Sequence, residues 1–226
     1  MSLDHQQLCG LSDSHITWLS DRIGIHKEMQ LAWQSLSDAA LTKGFELKIA
    51  SGYRSFDRQL SIWNRKFSGE LATKNKNNEI VNLSELSDEE KVDAILTYSA
   101  LPGTSRHHWG TDIDIYADNL LETDQKLQLE PWEYQQGGPF EQLSLWLEQD
   151  AATFGFFHPY DKDRGGVAIE PWHLSFAPLA QPCLCDISVE TLAQTITQAD
   201  ILGKQAILSK LPMIFSQYVQ NINKGT

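Results

Sequence analysis

Ser105-Arg106-His107-His108-Trp109-Gly110-Thr111-Asp112-Ile113-Asp114 sets two histidines and two aspartates within ten residues. Thr111 to Ala117 reads as a strand, entered from a loop in which Gly110 permits a tight turn. Aspartate is disfavoured in strands, so its presence here needs a chemical reason. Zinc in a catalytic site takes three protein ligands, drawn from imidazole and carboxylate, and keeps a fourth position open. His107 and Asp114 are two such donors, and His173, in Glu170-Pro171-Trp172-His173, is a third. Glu170 is then the carboxylate able to take a proton from water and pass it to a leaving amine. Residues three apart on a straight strand face opposite ways. Glu170 and His173 therefore share one site only if the chain bends at Pro171.

Outward from this stretch, a helix is expected from about residue 25 to 43, closed by Gly44. Residues 45 to 51 alternate as a strand. A helix follows from about 56 to 67, with Leu60 and Trp63 inward and Arg58, Arg65 and Lys66 on an exposed face. Residues 68 to 87 are polar and Asn-rich, a long loop of the kind that carries function. Ser87-Asp88-Glu89-Glu90 is a capping box opening a helix to about 98. Residues 118 to 138 form a second polar connection, and a helix spans about 140 to 154. Strands are expected at 155 to 158, 167 to 169 and 172 to 176, with a hairpin-like turn at 160 to 166. Two further amphipathic helices cover about 188 to 202 and 204 to 220. The class is α+β, a small and mainly antiparallel sheet with helices packed on it. The 226 residues read as one domain, its core at about 25 to 180 and a helical extension at about 188 to 222.

Composition removes several functions. Hydrophobic residues make up 41% and charged residues 21%, an ordinary globular balance. The net charge of −12 opposes binding to nucleic acid or to an anionic membrane surface. No apolar run is long enough for a transmembrane helix, and the first residues lack a signal-peptide pattern. A soluble protein of the cytoplasm or periplasm is expected. Three cysteines (Cys9, Cys183, Cys185) make no complete disulfide set, and one Cys-x-Cys is a weak metal motif. His108 reads as a surface residue or a support for its neighbours. His158, with Asp161 and Asp163, reads as a solvated turn. Of the seven tryptophans, Trp109 and Trp172 are the two placed to line a pocket.

Ser105-x-His107-x-x-Gly110-x-Asp112-x-Asp114, with Glu170-x-x-His173, resembles the signature of the VanY-type D-alanyl-D-alanine carboxypeptidases. These belong to a wider group of zinc peptidases with lysostaphin and the hedgehog fold. Ser51-Gly52-Tyr53-Arg54-Ser55, followed by Gln59, and Leu101-Pro102-Gly103-Thr104 also resemble that family. The likeness covers about residues 45 to 177. It implies a hedgehog/D-Ala-D-Ala-peptidase-like fold and one zinc per chain on His107, Asp114 and His173. It implies Glu170 as base and then acid, and Arg54 on the oxyanion or a substrate carboxylate. Ser105 would bond the substrate's terminal carboxylate, Trp172 would pack beside the metal, and Gln59 and Asp112 would complete the substrate contacts. Asp112 departs from the commoner alanine; it could instead orient a ligand histidine. The implied partner is peptidoglycan or its peptide precursors. Alternatives within this reading are an endopeptidase of the peptide stem and a zinc-containing module without catalysis, although Glu170 favours catalysis.

Overall fold

A four-stranded antiparallel sheet carries residues 112–117 in its interior, and the remaining elements are arranged around it. The computed structural model describes residues 2–225. In chain order the elements are α1 (His5–Leu8), β1 (Ile16–Trp18), β2 (Gly24–His26), α2 (Gln30–Thr42), β3 (Leu47–Ser51), α3 (Phe56–Phe67), α4 (Asp88–Leu96) and β4 (Asp112–Ala117). Then come α5 (Pro131–Tyr134), α6 (Glu141–Asp150), β5 (Phe156–Phe157), β6 (His173–Phe176), α7 (Ala177–Asp186), α8 (Val189–Gln198) and α9 (Lys204–Ile214). The sheet order is β3-β4-β6-β5, and β1 and β2 form a separate antiparallel pair.

The register decides the site. Asp114 lies opposite His173 across β4 and β6, and opposite Ser51 across β3 and β4. Asp112 lies opposite Ser175. Cross-strand partners stand within about 5.5 Å of each other at Cα. Two residues far apart in sequence therefore meet because the pairing of β4 with β6 puts them side by side.

Buried apolar side chains form two clusters. One unites the sheet with α2 and α6, through Leu36, Ile113, Ile115, Phe140, Leu147 and Leu174. The other draws on α3, α4 and the C-terminal helices, through Trp63, Ile95, Trp109, Leu192, Ile207 and Leu211. The capping box that the sequence suggests at Ser87 forms, and Ser55 adds a cap that the sequence reading does not include. Ser55 Oγ accepts the Arg58 N–H at 3.2 Å, and Ser87 with Glu90 closes a capping box at α4.

Several expected elements differ. The helix expected from residue 25 starts at Gln30, because Gly24–His26 pair with Ile16–Trp18 and a 3-10 turn over Lys27–Met29 intervenes. The expected strand at 167 to 169 does not form; this stretch is irregular. Ala177–Asp186 is a helix despite Pro178 and Pro182. Pro178 sits in its first turn, where an N–H is unbonded in any case. The last helix gives way to a π-helical turn over Phe215–Val219. No helix of the described residues is long and apolar enough to cross a membrane.

Candidate metal centre

His107 sits in a 3-10 turn, Arg106–Trp109, that ends on Gly110 with φ of 66°. A Cβ at Gly110 would lie 2.4 Å from Ile16 Cδ1 and 2.8 Å from the His26 nitrogen, so both the conformation and the space require glycine. The turn is pinned to the β1–β2 pair by His26 N–H donating to Gly110 O at 2.8 Å. His107 Nδ1–H donates to Gly52 O at 2.9 Å, which turns Nε2 toward Asp114 Oδ2, 3.4 Å away. A carbonyl only accepts, so this bond fixes the tautomer.

The expected bend at Pro171 is present. His173 N–H donates to Glu170 O at 3.1 Å, closing a four-residue turn with Pro171 at its second position. The turn brings Glu170 Oε2 within 3.3 Å of His173 Nδ1. The same nitrogen lies 3.3 Å from Asp114 Oδ1. Potential ligand atoms of His107, Asp114 and His173 all lie within 4.8 Å of one another, and all three residues are buried. Asp114 Oδ1 and His173 Nδ1 have no hydrogen-bond partner. Buried polar atoms without partners are costly, on the order of 1–3 kcal/mol each. Two of them converging with a second imidazole are what a divalent cation would satisfy, so the donor set fits a metal.

Asp112 is fully buried and is absent from the lining of the cavity beside Glu170, which does not support its expected role as a substrate contact. Its oxygens accept from Arg106 Nε at 2.7 Å, His173 Nε2 at 2.9 Å, Thr111 Oγ1 at 2.7 Å and Ser175 Oγ at 3.1 Å. Burial alone would raise its pKa, but Arg106 and the His173 bond hold it below the usual carboxylate range. Its bond to Nε2 leaves Nδ1 as the His173 atom that faces the site. Arg106, missed in the sequence, is the cation that makes a buried Asp112 tolerable. It also bonds Ser175 at 2.6 Å and stacks over Trp109.

Glu170 is nearly buried, and burial raises its carboxyl pKa above the ordinary value. A cavity of about 290 Å³ opens beside it. Arg54, Ser105, Trp172 and Tyr160 line this cavity together with the metal-capable residues. Arg54 is held by Nη1 on Gln59 Oε1 at 2.8 Å and Nη2 on Ser51 Oγ at 3.1 Å. Gln59 is itself fully buried, with its amide nitrogen on Ala100 O at 2.7 Å. It supports Arg54 and does not line the cavity, which corrects its expected substrate contact. Trp109 is also absent from the lining; its indole donates to Leu8 O at 3.1 Å inside a core cluster.

Three further expectations change. His108 is fully buried: its Nδ1–H donates to Arg54 O at 2.6 Å and its Nε2 accepts the Gly103 N–H at 3.1 Å. It ties the Arg54 loop to the segment that precedes Ser105. His158 donates to His173 O at 3.2 Å and so braces the strand that carries His173. Lys66, expected on an exposed helix face, lines the cavity. The long loop over 68 to 87 supplies Lys74 and Asn78 to the same wall. Lys66 had a legible signal: it lies seven residues after Gln59, two turns along the same face of α3.

The family model VanY, D-alanyl-D-alanine carboxypeptidase, matches residues 22–179. The chain belongs to the VanY D-alanyl-D-alanine carboxypeptidase family. It is a peptidase of that type. The chain is 42% identical over 125 residues to an uncharacterised protein of Haemophilus influenzae, covering 54% of this chain and 95% of that one. It is 32% identical over 146 residues to a D-alanyl-D-alanine carboxypeptidase of Enterococcus faecalis, covering 63% of this chain and 44% of that one. The VanY fold is seen in the crystal structure of a variant of a vancomycin-resistance D,D-pentapeptidase VanY in complex with zinc. That structure has a TM-score of 0.52 and 22% identity, covering 87% of this chain and 92% of its own.

Proposed function

We propose that this VanY-family chain is a zinc-dependent D-alanyl-D-alanine carboxypeptidase acting on peptidoglycan peptides, with one zinc per chain. One observation carries the reading: Asp114 Oδ1 and His173 Nδ1 are buried, convergent and unpartnered beside Glu170. The zinc held by the VanY protein of like fold supports the choice of metal. His107 through Nε2, Asp114, and His173 through Nδ1 would hold it. The chemistry that a bound zinc supplies is Lewis acidity, toward a water and toward a carbonyl.

The other steps belong to the chain. Glu170, its pKa raised by burial, accepts a proton from the attacking water and delivers it to the leaving amine. Arg54, its guanidinium fixed by Gln59 and Ser51, meets the negative charge that develops on the carbonyl oxygen. Its position needs no adjustment during the reaction, which is where such electrostatic stabilisation gains its effect. Ser105 offers a hydroxyl to the terminal carboxylate, and Trp172 forms an apolar wall beside the metal-capable residues.

Incubation with a muramyl pentapeptide ending in D-Ala-D-Ala and with the matching tetrapeptide, followed by mass analysis, tests this. Loss of a single alanine from the pentapeptide is the expected result. Internal fragments would indicate an endopeptidase, and an intact pentapeptide with zinc bound would indicate a binding module.

A further inference from the structure

The cavity of this acidic chain is lined by four cations, and three of them are already engaged. Arg106 pairs with Asp112, Lys74 pairs with Glu130, and Arg54 is anchored on Gln59 and Ser51. Lys66 is the least constrained: its Nζ donates to a single neutral partner, Ser99 Oγ at 2.7 Å, and, like Arg54, it makes no ion pair among the described residues. An ammonium has three donors, so two remain to be filled. The side chain is only partly exposed, and burial lowers its pKa, as expected of a charge short of compensation. Ser99 adjoins Ala100, whose carbonyl receives Gln59, and the same segment runs on to Ser105 at the cavity wall. Lys66 is thereby tethered to the segment that presents Ser105, while Arg54 is tethered to Gln59, seven residues before Lys66 on α3.

We infer that Lys66 selects substrates by their free terminal carboxylate, its two unfilled donors forming a charge-assisted contact that an amide or a continuing peptide chain cannot replace. This rests on the carboxypeptidase reading and adds a residue to it. It divides the cationic work: Lys66 reads the end of the peptide, and Arg54 is left for the carbonyl oxygen. It also accounts for a lysine without an ion-pair partner being kept at a cavity wall of a chain with net charge −12. Lysine suits the task because a point charge on a flexible stem meets a carboxylate without demanding a bidentate approach.

The test is calorimetric titration of zinc-loaded Glu170→Gln protein with N-acetyl-D-Ala-D-Ala and with its C-terminal amide. The acid should bind at least about tenfold more tightly than the amide, the scale of one hydrogen bond to a charged group. Adding Lys66→Met should shrink that ratio to about twofold or less, with zinc content and circular dichroism unchanged, whereas Lys66→Arg should keep most of it. An acid preference that survives Lys66→Met overturns the inference, as does equal binding of acid and amide, or binding of neither, with Lys66 in place. The carboxypeptidase reading stands or falls separately, on the products of the wild-type chain. A wild type that cleaves nothing while its acid preference tracks Lys66 counts against that reading alone. Release of alanine with a preference indifferent to Lys66 counts against the inference alone.

Discussion

The two ring nitrogens of His173 serve different ends. Nε2 is bonded to Asp112 at 2.9 Å, and Nδ1 faces Asp114 and Glu170 at 3.3 Å each. A carboxylate behind a ligand histidine fixes its tautomer and orientation, and losing such a partner typically weakens metal affinity about 10–100-fold. Asp112→Ala should therefore lower zinc affinity by that order, measured by competition with a chromophoric chelator. It should also cost stability on the order of 3–5 kcal/mol, because Arg106 would stay buried without its partner. Zinc affinity equal to wild type would remove Asp112 from this role. At this scale the metal-capable set was legible, because His107, Asp114, Glu170 and His173 carry short spacings that strand and turn geometry can test. The partners of Asp112 were not. Ser175 meets it only through the pairing of β4 with β6, and Arg106 reads as an ordinary loop cation until Asp112 is seen to be buried. Lys66 was misread for another reason: a charge on an amphipathic helix counts as surface, although a lysine stem can run along apolar walls and deliver its head to a cavity.

Gly110 shows how one turn sets the element that follows it. It ends the 3-10 turn holding His107 and admits the chain to β4, in a left-handed conformation packed against Ile16 and the His26 nitrogen. Gly110→Ala should destabilise the chain by more than the roughly 1–2 kcal/mol of the left-handed conformation alone, since the new methyl also meets backbone. The denaturant midpoint should fall clearly, and an unchanged midpoint would show that the turn relaxes without harm to the fold. The central sheet strands and the helix at residues 56–67 were legible because their periodicity is local. Residues 24–26 were not: their apolar pattern runs on into the following helix, and only pairing with residues 16–18 makes them a strand. Residues 177–186 were hidden by two prolines, which the helix accommodates through packing of Ala180, Cys183 and Leu184 into the core.

Across the whole molecule, buried histidines set the response to acid. Burial pushes His108 down to about 3, and His26, His107 and His158 down to about 4, from an ordinary 6.5. Between pH 6.5 and these values the unfolded chain binds protons that the folded chain refuses. Stability should therefore fall as pH drops through that window. His173, raised above 6.5 by its carboxylate bonds, works the other way: its contribution is fully present below 6.5 and is lost as pH rises through its folded pKa. Below 6.5 the His173 contribution is constant, so the lowered histidines, among them His15, which burial also pushes down, set the slope; the urea midpoint should decline from pH 6.5 to 4, and a flat or rising midpoint would contradict this. Acid also weakens metal binding, because ligand histidines must be neutral. The α+β class and the small antiparallel sheet were legible from the order of the elements, whereas the gathering of the cavity wall from α3, the 68–87 loop and the segment before Ser105 depends on long-range packing. The most direct measurement strips the protein with a chelator, restores zinc stepwise, and follows bound zinc and D-alanine released from an acylated D-Ala-D-Ala peptide together. The account predicts no release from the stripped protein and recovery that saturates at about one zinc per chain; release that persists without metal, or zinc bound in that ratio without any release, would contradict it.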